Sequence, residues 1–436
     1  MYRLQQPTIA PFPQARRKLL PPAFQFPAFR AYWGGMLASV SGSQMFIFIQ
    51  VVLAHELVKS PLFLGYVGLA NAIPSILLNL YGGVFADRLD KRRLMIVTQA
   101  ISGLLLFLLA TLVLLQLLQP WHLLTIAFLT GAVNAFDQAT RQAIVPDLVD
   151  QKSLMSASAL TGIIWQGTRI ASPAIAGLIL VWIGTATSIY VAGAGFLVMM
   201  VVMVRLRVPK APVAHHGSAA REIADGLKFI KTSPIFSFLI GMTFFNSFFA
   251  ISFAWLMPIF AMDILHVGAG GQGLLLAMTG IGGLLVSVLL STAGRFPRPR
   301  LLIVGGAVVT GLSLAAFATT AELIGSFPLA MALMFILGLS STAYMTAIRT
   351  LLLVLVPRHM LGRVMGFYSM MWSITPLGGM QAAFLANFIG APAAVAIGGL
   401  AVAIFAIGPA LLSKRLRNLE SELLQAHAAS EAHAPR

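Results

Sequence analysis

The chain has 436 residues, of which 58% are apolar and only 10% charged, with a formal net charge of +16. Soluble surfaces need about a quarter of all residues charged, so this composition excludes an ordinary soluble protein and points to lipid as the solvent. The absence of cysteine excludes disulfides, thiolate metal sites and cysteine nucleophiles.

A membrane-spanning helix needs about 20 predominantly apolar residues. After a Pro-rich segment, 1–28, which has no continuous apolar core and reads as a cytoplasmic tail rather than a cleaved signal, twelve such stretches follow. The first six are 31–55, 62–86, 93–118, 121–143, 156–181 and 185–205, and the last six are 235–262, 271–293, 300–320, 325–350, 363–389 and 392–412. Tyr32, Trp33, Trp121 and Trp182 lie near span ends, where interfacial aromatic belts form. The predicted fold is an all-α polytopic membrane protein with two pseudo-symmetric six-helix bundles, 29–207 and 234–413. A linker, 208–233, joins them, and a second tail, 414–436, follows. In the linker Ile223, Leu227 and Ile230 recur at helical spacing beside Lys228 and Lys231, the pattern of an amphipathic helix on a membrane surface.

The basic residues cluster at the N-terminus, at 88–93, at Arg141 and Lys152, across 205–231, at 295–300, across 349–363 and from Lys414 onward. Pairs of spans separate these clusters, so all fall on one side, leaving Lys59 opposite and Arg169 inside a span. The positive-inside rule then makes both termini cytoplasmic, and nucleic acid is not needed to explain the charge. The halves also match at an offset of about 207 to 211 residues, a period typical of duplicated transporter halves. Gly65 and the run to Arg88 correspond to Gly273 and the run to Arg295, and Val145-Pro146-Asp147 corresponds to Val356-Pro357-Arg358. A duplicated unit places a binding site between its halves.

Between spans two and three, residues 82–93 carry six charges in one short hairpin. The pattern Gly83-x-x-x-Asp87-Arg88-x-x-x-Arg92-Arg93 closely resembles the signature loop of the major facilitator superfamily. The second-half copy has shrunk to Gly294-Arg295-Phe296-Pro297-Arg298. In that setting Asp87 can point at the N-terminus of span eleven near Gly362 and Arg363, where the helix dipole favours an anion, while Arg88 and Arg92 can reach Asp137 on span four. The resemblance implies that Gly83, Asp87, Arg88, Arg92, Asp137 and Gly362 form a latch that holds the outward-facing state and breaks as the halves rock. A solvated loop obeying the positive-inside rule would explain the basic residues but not Asp87 beside glycines.

A narrower resemblance covers Asn134-x-x-Asp137-x-x-x-Arg141-x-x-x-x-Pro146-Asp147-Leu148, Arg169-Ile170-Ala171-Ser172-Pro173-x-x-x-Gly177 and Gly362-Arg363-Val364-Met365-Gly366. These look like the branch of bacterial exporters that contains the enterobactin exporter. Ser172-Pro173 also resembles the Gly-Pro motif of drug:proton antiporters, with Ser in place of Gly. Both resemblances favour export, through the bacterial inner membrane, over import.

Arg169 is the sharpest single signal. An arginine at the bilayer centre costs roughly 2.5 to 3.5 kcal/mol on insertion scales, so it should face protein or a water-filled cavity. Its planar fork suits carboxylate, phosphate or catecholate oxygens. The alternative is a structural bond to a backbone carbonyl or an Asn. Asp137 and Arg141, acid first at i,i+4, can pair along one face. That arrangement is more often structural than cargo-binding, although Asp137 is also the candidate for proton coupling. Gln44, Asn134, Trp165, Gln166, Asn246, Tyr344 and Trp372 lie on expected cavity helices, with Asn71 and Gln381 as further polar positions. Each alone is more often an interhelical bond, yet some must line the path.

His55-Glu56 and Asp263-x-x-His266 occupy equivalent outer ends of the halves. They read as ordinary interface residues ahead of an external gate or proton port, and their spacing is a poor argument for metal. Gly268-x-Gly270-x-x-Gly273 matches a dinucleotide fingerprint but follows no strand, so that context fails. No phosphate-binding loop sequence occurs, and no acid or base lies beside Arg169 at mid-membrane. The expected protein is therefore neither an enzyme nor a cofactor or metal binder. It is a monomeric secondary exporter of a small aromatic or amphipathic, anionic, siderophore-like metabolite, working by alternating access on the proton gradient. Its weak point is a first span without a carboxylate, which leaves a broad-specificity drug:proton antiporter as the second reading and a sensor or membrane enzyme as remote ones.

Overall fold

The computed structural model describes residues 21–88, 90–206, 227–231, 234–292 and 299–412. In the first half these form α1 (Pro27–Leu57), α2 (Pro61–Arg88), α3 (Lys91–Leu114), α4 (Pro120–Leu148), α5 (Leu154–Ile183) and α6 (Thr185–Arg205). The second half contains α7 (Pro234–Phe245) with its irregular continuation to Ile264, then α8 (Gly268–Thr292), α9 (Pro299–Ile324) and α10 (Phe327–Leu355). It ends with α11 (Arg358–Ser373), α12 (Thr375–Ile389) and α13 (Ala391–Leu412). Ten described helices are long and apolar enough to cross a membrane. α4, whose second half is polar, and the α11–α12 pair, which is broken at Ile374, fall outside that count.

Local chemistry sets the helix limits. Proline opens α1 and α4, where a missing N–H costs nothing. Asp90 caps α3 by accepting from the backbone N–H groups of Arg92 and Arg93. Gly184, Gly325 and Gly390, at φ of 82°, 66° and 83°, turn the chain after α5, α9 and α12.

The same pairings recur in both halves: α2 packs on α4 as α8 does on α10, α3 on α6 as α9 on α13, and α3 on α4 as α9 on α10. Between halves, α5 lies along α8, and α2 along α12. Glycine permits the closeness: a Cβ on Gly177 would stand 2.9 Å from the Ala269 carbonyl, and one on Gly273 2.8 Å from that of Pro173. These contacts lie toward the end of the bundle opposite Lys91. Asn134, Gln166, Arg169 and Arg349 are exposed on α4, α5 and α10.

One expectation changes. Span seven, read as one helix over 235–262, passes from α7 into a π-turn (Asn246–Ala250), a 3-10 turn (Ile251–Trp255) and a second π-turn (Ile259–Ile264). Pro258 removes a backbone donor there, and the Trp255 ring packs over Gly379 of α12. In the described end of the linker, 227–231, Leu227, Lys228 and Lys231 are exposed while the other face packs on span seven. Ile230 is buried, Phe229 stacks on Phe236 with centroids 5.2 Å apart, and the Ser237 hydroxyl donates to the Ile230 carbonyl.

Candidate functional site

Two polar constellations stand out. The first lies inside the N-terminal half. Asp137 is buried and accepts through Oδ1 from Gln99 Nε2 (2.6 Å) and Thr98 Oγ1 (3.2 Å), both on α3. Its Oδ2 accepts from Arg141 Nε at 2.6 Å, one turn along α4. Arg141 Nη2 reaches Ser39 Oγ on α1 at 2.9 Å, and Arg141 Nη1 is buried without a partner among the described residues. Burying a charge pair costs several kcal/mol per ion, which only this density of partners offsets. The pair forms part of the wall of a pocket also lined by Ser43, Asn71, Asn134 and Trp165.

The second constellation bridges the halves. Arg169, exposed on α5, holds its guanidinium carbon 5.5 Å from the centroid of the Trp372 ring on α11. One turn earlier on α11 the Tyr368 ring meets Trp372 edge-on, with centroids 6.5 Å apart. Thr375 Oγ1 donates to the Trp372 carbonyl, closing α11 where the span breaks. Among the described residues no carboxylate pairs with Arg169.

The structure sorts the residues expected to line a cavity. Asn134 and Trp165 share the pocket of Asp137 and Arg141. Arg169 and Trp372 meet each other, Gln166 is exposed on the α5 turn before Arg169, and Gln44 is half-buried on α1. Asn246 and Tyr344 are both fully buried, and the Tyr344 hydroxyl donates to Asn246 Oδ1 at 2.5 Å. Each satisfies the other inside the C-terminal half.

Of the latch residues, the side chains of Asp87 and Arg88 lie outside the described residues, and Gly83 and Gly362 are described only as helix backbone. Arg92 does not reach Asp137. Its Nε and Nη2 donate to the Met203 and Val204 carbonyls (2.9 and 2.5 Å) at the end of α6, where orphan carbonyls attract a cation. Lys91 instead bridges to α4, through Asp147 Oδ2 at 2.8 Å and the Ala143 carbonyl at 2.9 Å. Sequence reasoning missed Lys91, Asp147, Ser39, Thr98 and Gln99. Lys91 and Asp147 alone carried a signal, as opposite charges flanking the paired spans three and four.

At the opposite end, His55 on α1 and Asp263 in the irregular part of span seven form a hydrogen-bonded pair between the halves, with His55 Nε2 at 3.0 Å from Asp263 Oδ2.

Paired helices repeated in two halves around a polar interface define a secondary transporter of the major facilitator superfamily. Residues 20–435 match the family described as transmembrane secretion effector, and the chain belongs to it. It is 30% identical over 235 residues to the staphyloferrin A transporter of Staphylococcus aureus, a match that spans 52% of this chain and 58% of that transporter. The macrolide efflux protein A of Streptococcus pyogenes is 24% identical over 83% of this chain and 90% of its own. An enterobactin exporter of Citrobacter koseri is 24% identical over 66% of this chain and 68% of its own. The inward-facing, unoccupied structure of a bacterial homologue of the human lysosomal transporter Spinster superposes with a TM-score of 0.69 at 15% identity, covering 88% of this chain and 95% of that one. The nucleoside transporter NupG does so with a TM-score of 0.69 at 13% identity, covering 89% and 99%. At these identities the likeness is one of fold.

Proposed function

We propose that the protein exports a small aromatic or amphipathic anion of siderophore type across the bacterial inner membrane. It acts as a monomer by alternating access, with both termini and the basic end in the cytoplasm and an inward proton gradient as the energy source. The observation that carries this reading is Arg169 over Trp372: a positive charge without a carboxylate partner among the described residues, set against an aromatic face at the junction of the halves. Such a pair binds a planar anion through the fork of the arginine and the ring of the tryptophan. Relatives named for staphyloferrin A transport and enterobactin export add support. In this reading the two bundles, 29–207 and 234–413, rock about the site. The loop with Gly83, Asp87, Arg88 and Arg92 engages Gly362 and Asp137 when that side closes. Asp137 carries the coupling proton.

A second reading, broad drug:proton antiport, is favoured by relatives named macrolide efflux protein and multidrug efflux pump. The deciding experiment is outward flux of a catecholate siderophore, beside that of a cationic dye, from exporter-deficient bacteria expressing the protein, with and without a proton uncoupler. Siderophore release that the uncoupler stops, without dye release, supports the anion reading. Dye release alone replaces it with the antiporter reading.

A further inference from the structure

Arg141 helps to line the cavity inside the N-terminal half, which has a volume of about 70 Å³. At roughly 10 to 15 Å³ per water, that is room for about five waters, or for one small planar group rather than a whole cargo. Two of the three guanidinium nitrogens are engaged: Nε donates to Asp137 and Nη2 to Ser39, while Nη1 is buried without a partner among the described residues. A guanidinium only donates, so Nη1 needs an acceptor. A second carboxylate does not suit it. Asp137 already balances the charge of Arg141, with Oδ1 taken by Thr98 and Gln99 and Oδ2 by Arg141, and a further anion would stand against it in a low dielectric. A neutral carbonyl oxygen meets the need. Asn134, two turns before Arg141 on the same face of α4, and Ser43 on α1 line the same cavity, and their side chains make no hydrogen bond among the described residues. They can serve an N–H or hydroxyl beside that carbonyl. The apolar part of the wall is largely aromatic, from Phe46, Phe196 and Trp165.

Trp165 joins this cavity to the cation between the halves. It and Arg169 are four residues apart on α5, on one face and about 6 Å apart along the helix axis. We propose that the cavity is a second binding station, for a neutral aryl amide, and that the transporter selects cargo carrying such a group next to its negative charge. Arg141 Nη1 donates to the amide carbonyl, Asn134 and Ser43 meet the amide N–H, and the aryl ring lies among Trp165, Phe46 and Phe196, as planar ligands lie on aromatic walls. The anionic group then falls one turn along α5, at Arg169. The inference rests on the anionic-cargo reading above and adds the chemical class of the cargo's other end. Because the two stations share one helix, a cargo with only one of the two groups engages one station and gains nothing from the other.

The test uses the full chain in lipid nanodiscs and measures binding by calorimetry of benzoate, benzamide and N-benzoylglycine, which joins an aryl amide to a carboxylate. The wild type is expected to bind N-benzoylglycine about tenfold more tightly than benzoate, the size of one hydrogen bond to a charged group. Asn134→Ala, at an exposed position, should bring N-benzoylglycine down toward the affinity of benzoate. Arg141→Lys, which keeps a positive charge beside Asp137 but lacks Nη1, should do the same. Arg169→Gln should weaken benzoate and N-benzoylglycine but not benzamide. Equal weakening of all three ligands by N134A and R141K, or no change in any, would make the cavity a feature of packing and overturn the proposal. A wild type that binds benzoate but shows no preference for N-benzoylglycine overturns this proposal alone. Binding of benzamide that N134A weakens, without binding of benzoate, keeps the amide station and overturns the anionic-cargo reading. A wild type that binds none of the three overturns both.

Discussion

His55 Nε2 stands 3.0 and 3.1 Å from the two carboxylate oxygens of Asp263 and so joins the first helix of one half to the seventh span of the other. The histidine is buried and the aspartate half exposed, and the two positions are 208 residues apart, within the offset that relates the halves. Asp263 sits in a π-turn, a helix form often found at functional sites. Opening this end requires the pair to separate. The chain has no cysteine, so a H55C/D263C variant joined by a short bifunctional thiol reagent isolates this contact. Cross-linked protein should lose transport, and reversal of the link should restore it. Cross-linked protein that still transports at the rate of the unlinked variant would show that the pair is not a gate.

The Asp137–Arg141 pair predicts an asymmetric mutational pattern. Arg141→Ala strands a buried carboxylate and should destabilise the protein by about 3 to 5 kcal/mol, the usual cost of breaking a buried pair. The double variant D137N/R141A removes the stranded charge and should recover much of that loss. Thermal unfolding in detergent reads both. Asp137→Asn alone retains shape and the Gln99 neighbour but cannot exchange a proton. It should keep downhill exchange of cargo while losing accumulation that an uncoupler can abolish. Full uncoupler-sensitive accumulation by D137N moves the coupling proton elsewhere.

Tyr344→Phe separates structure from cargo contact. The variant leaves Asn246 Oδ1 buried without its donor, which should cost about 1 to 3 kcal/mol. Transport by protein that remains folded should show an unchanged KM. A raised KM with unchanged stability would place Tyr344 on the cargo path.

These outcomes reflect what a sequence can and cannot carry. Arg169 was legible because one charge in a long apolar run has few physical explanations. The Asp137–Arg141 pair was legible because i,i+4 spacing is a property of one helix. Ser39, Thr98 and Gln99, which complete the network, lie on α1 and α3, and their contribution depends on how three helices rotate against one another. The same ambiguity explains Asn246 and Tyr344: a polar residue on a cavity-lining helix faces either the cavity or another polar residue in the bundle, and hydropathy is blind to the difference. The irregular seventh span had only Pro258 as a signal, since π- and 3-10 turns preserve apolar content.

Arg169 allows the charge of the cargo to be tested apart from its shape. Arg169→Gln removes the positive charge over Trp372 but keeps a polar group of similar length, and Arg169→Lys keeps the charge but not the planar fork. A partly desolvated arginine–anion contact is worth about 1.5 to 3 kcal/mol, so R169Q should weaken a catecholate or carboxylate cargo by about ten- to a hundredfold in KM. A neutral aromatic amide of the same size should change little, because the Trp372 and Tyr368 faces remain. R169K should fall between the two for the anion, since an ammonium supplies a point charge without two aligned donors. Equal losses for the anion and the neutral amide in R169Q, with a lowered unfolding temperature, would make Arg169 a structural brace between α5 and α11, holding the halves in register through the tryptophan ring.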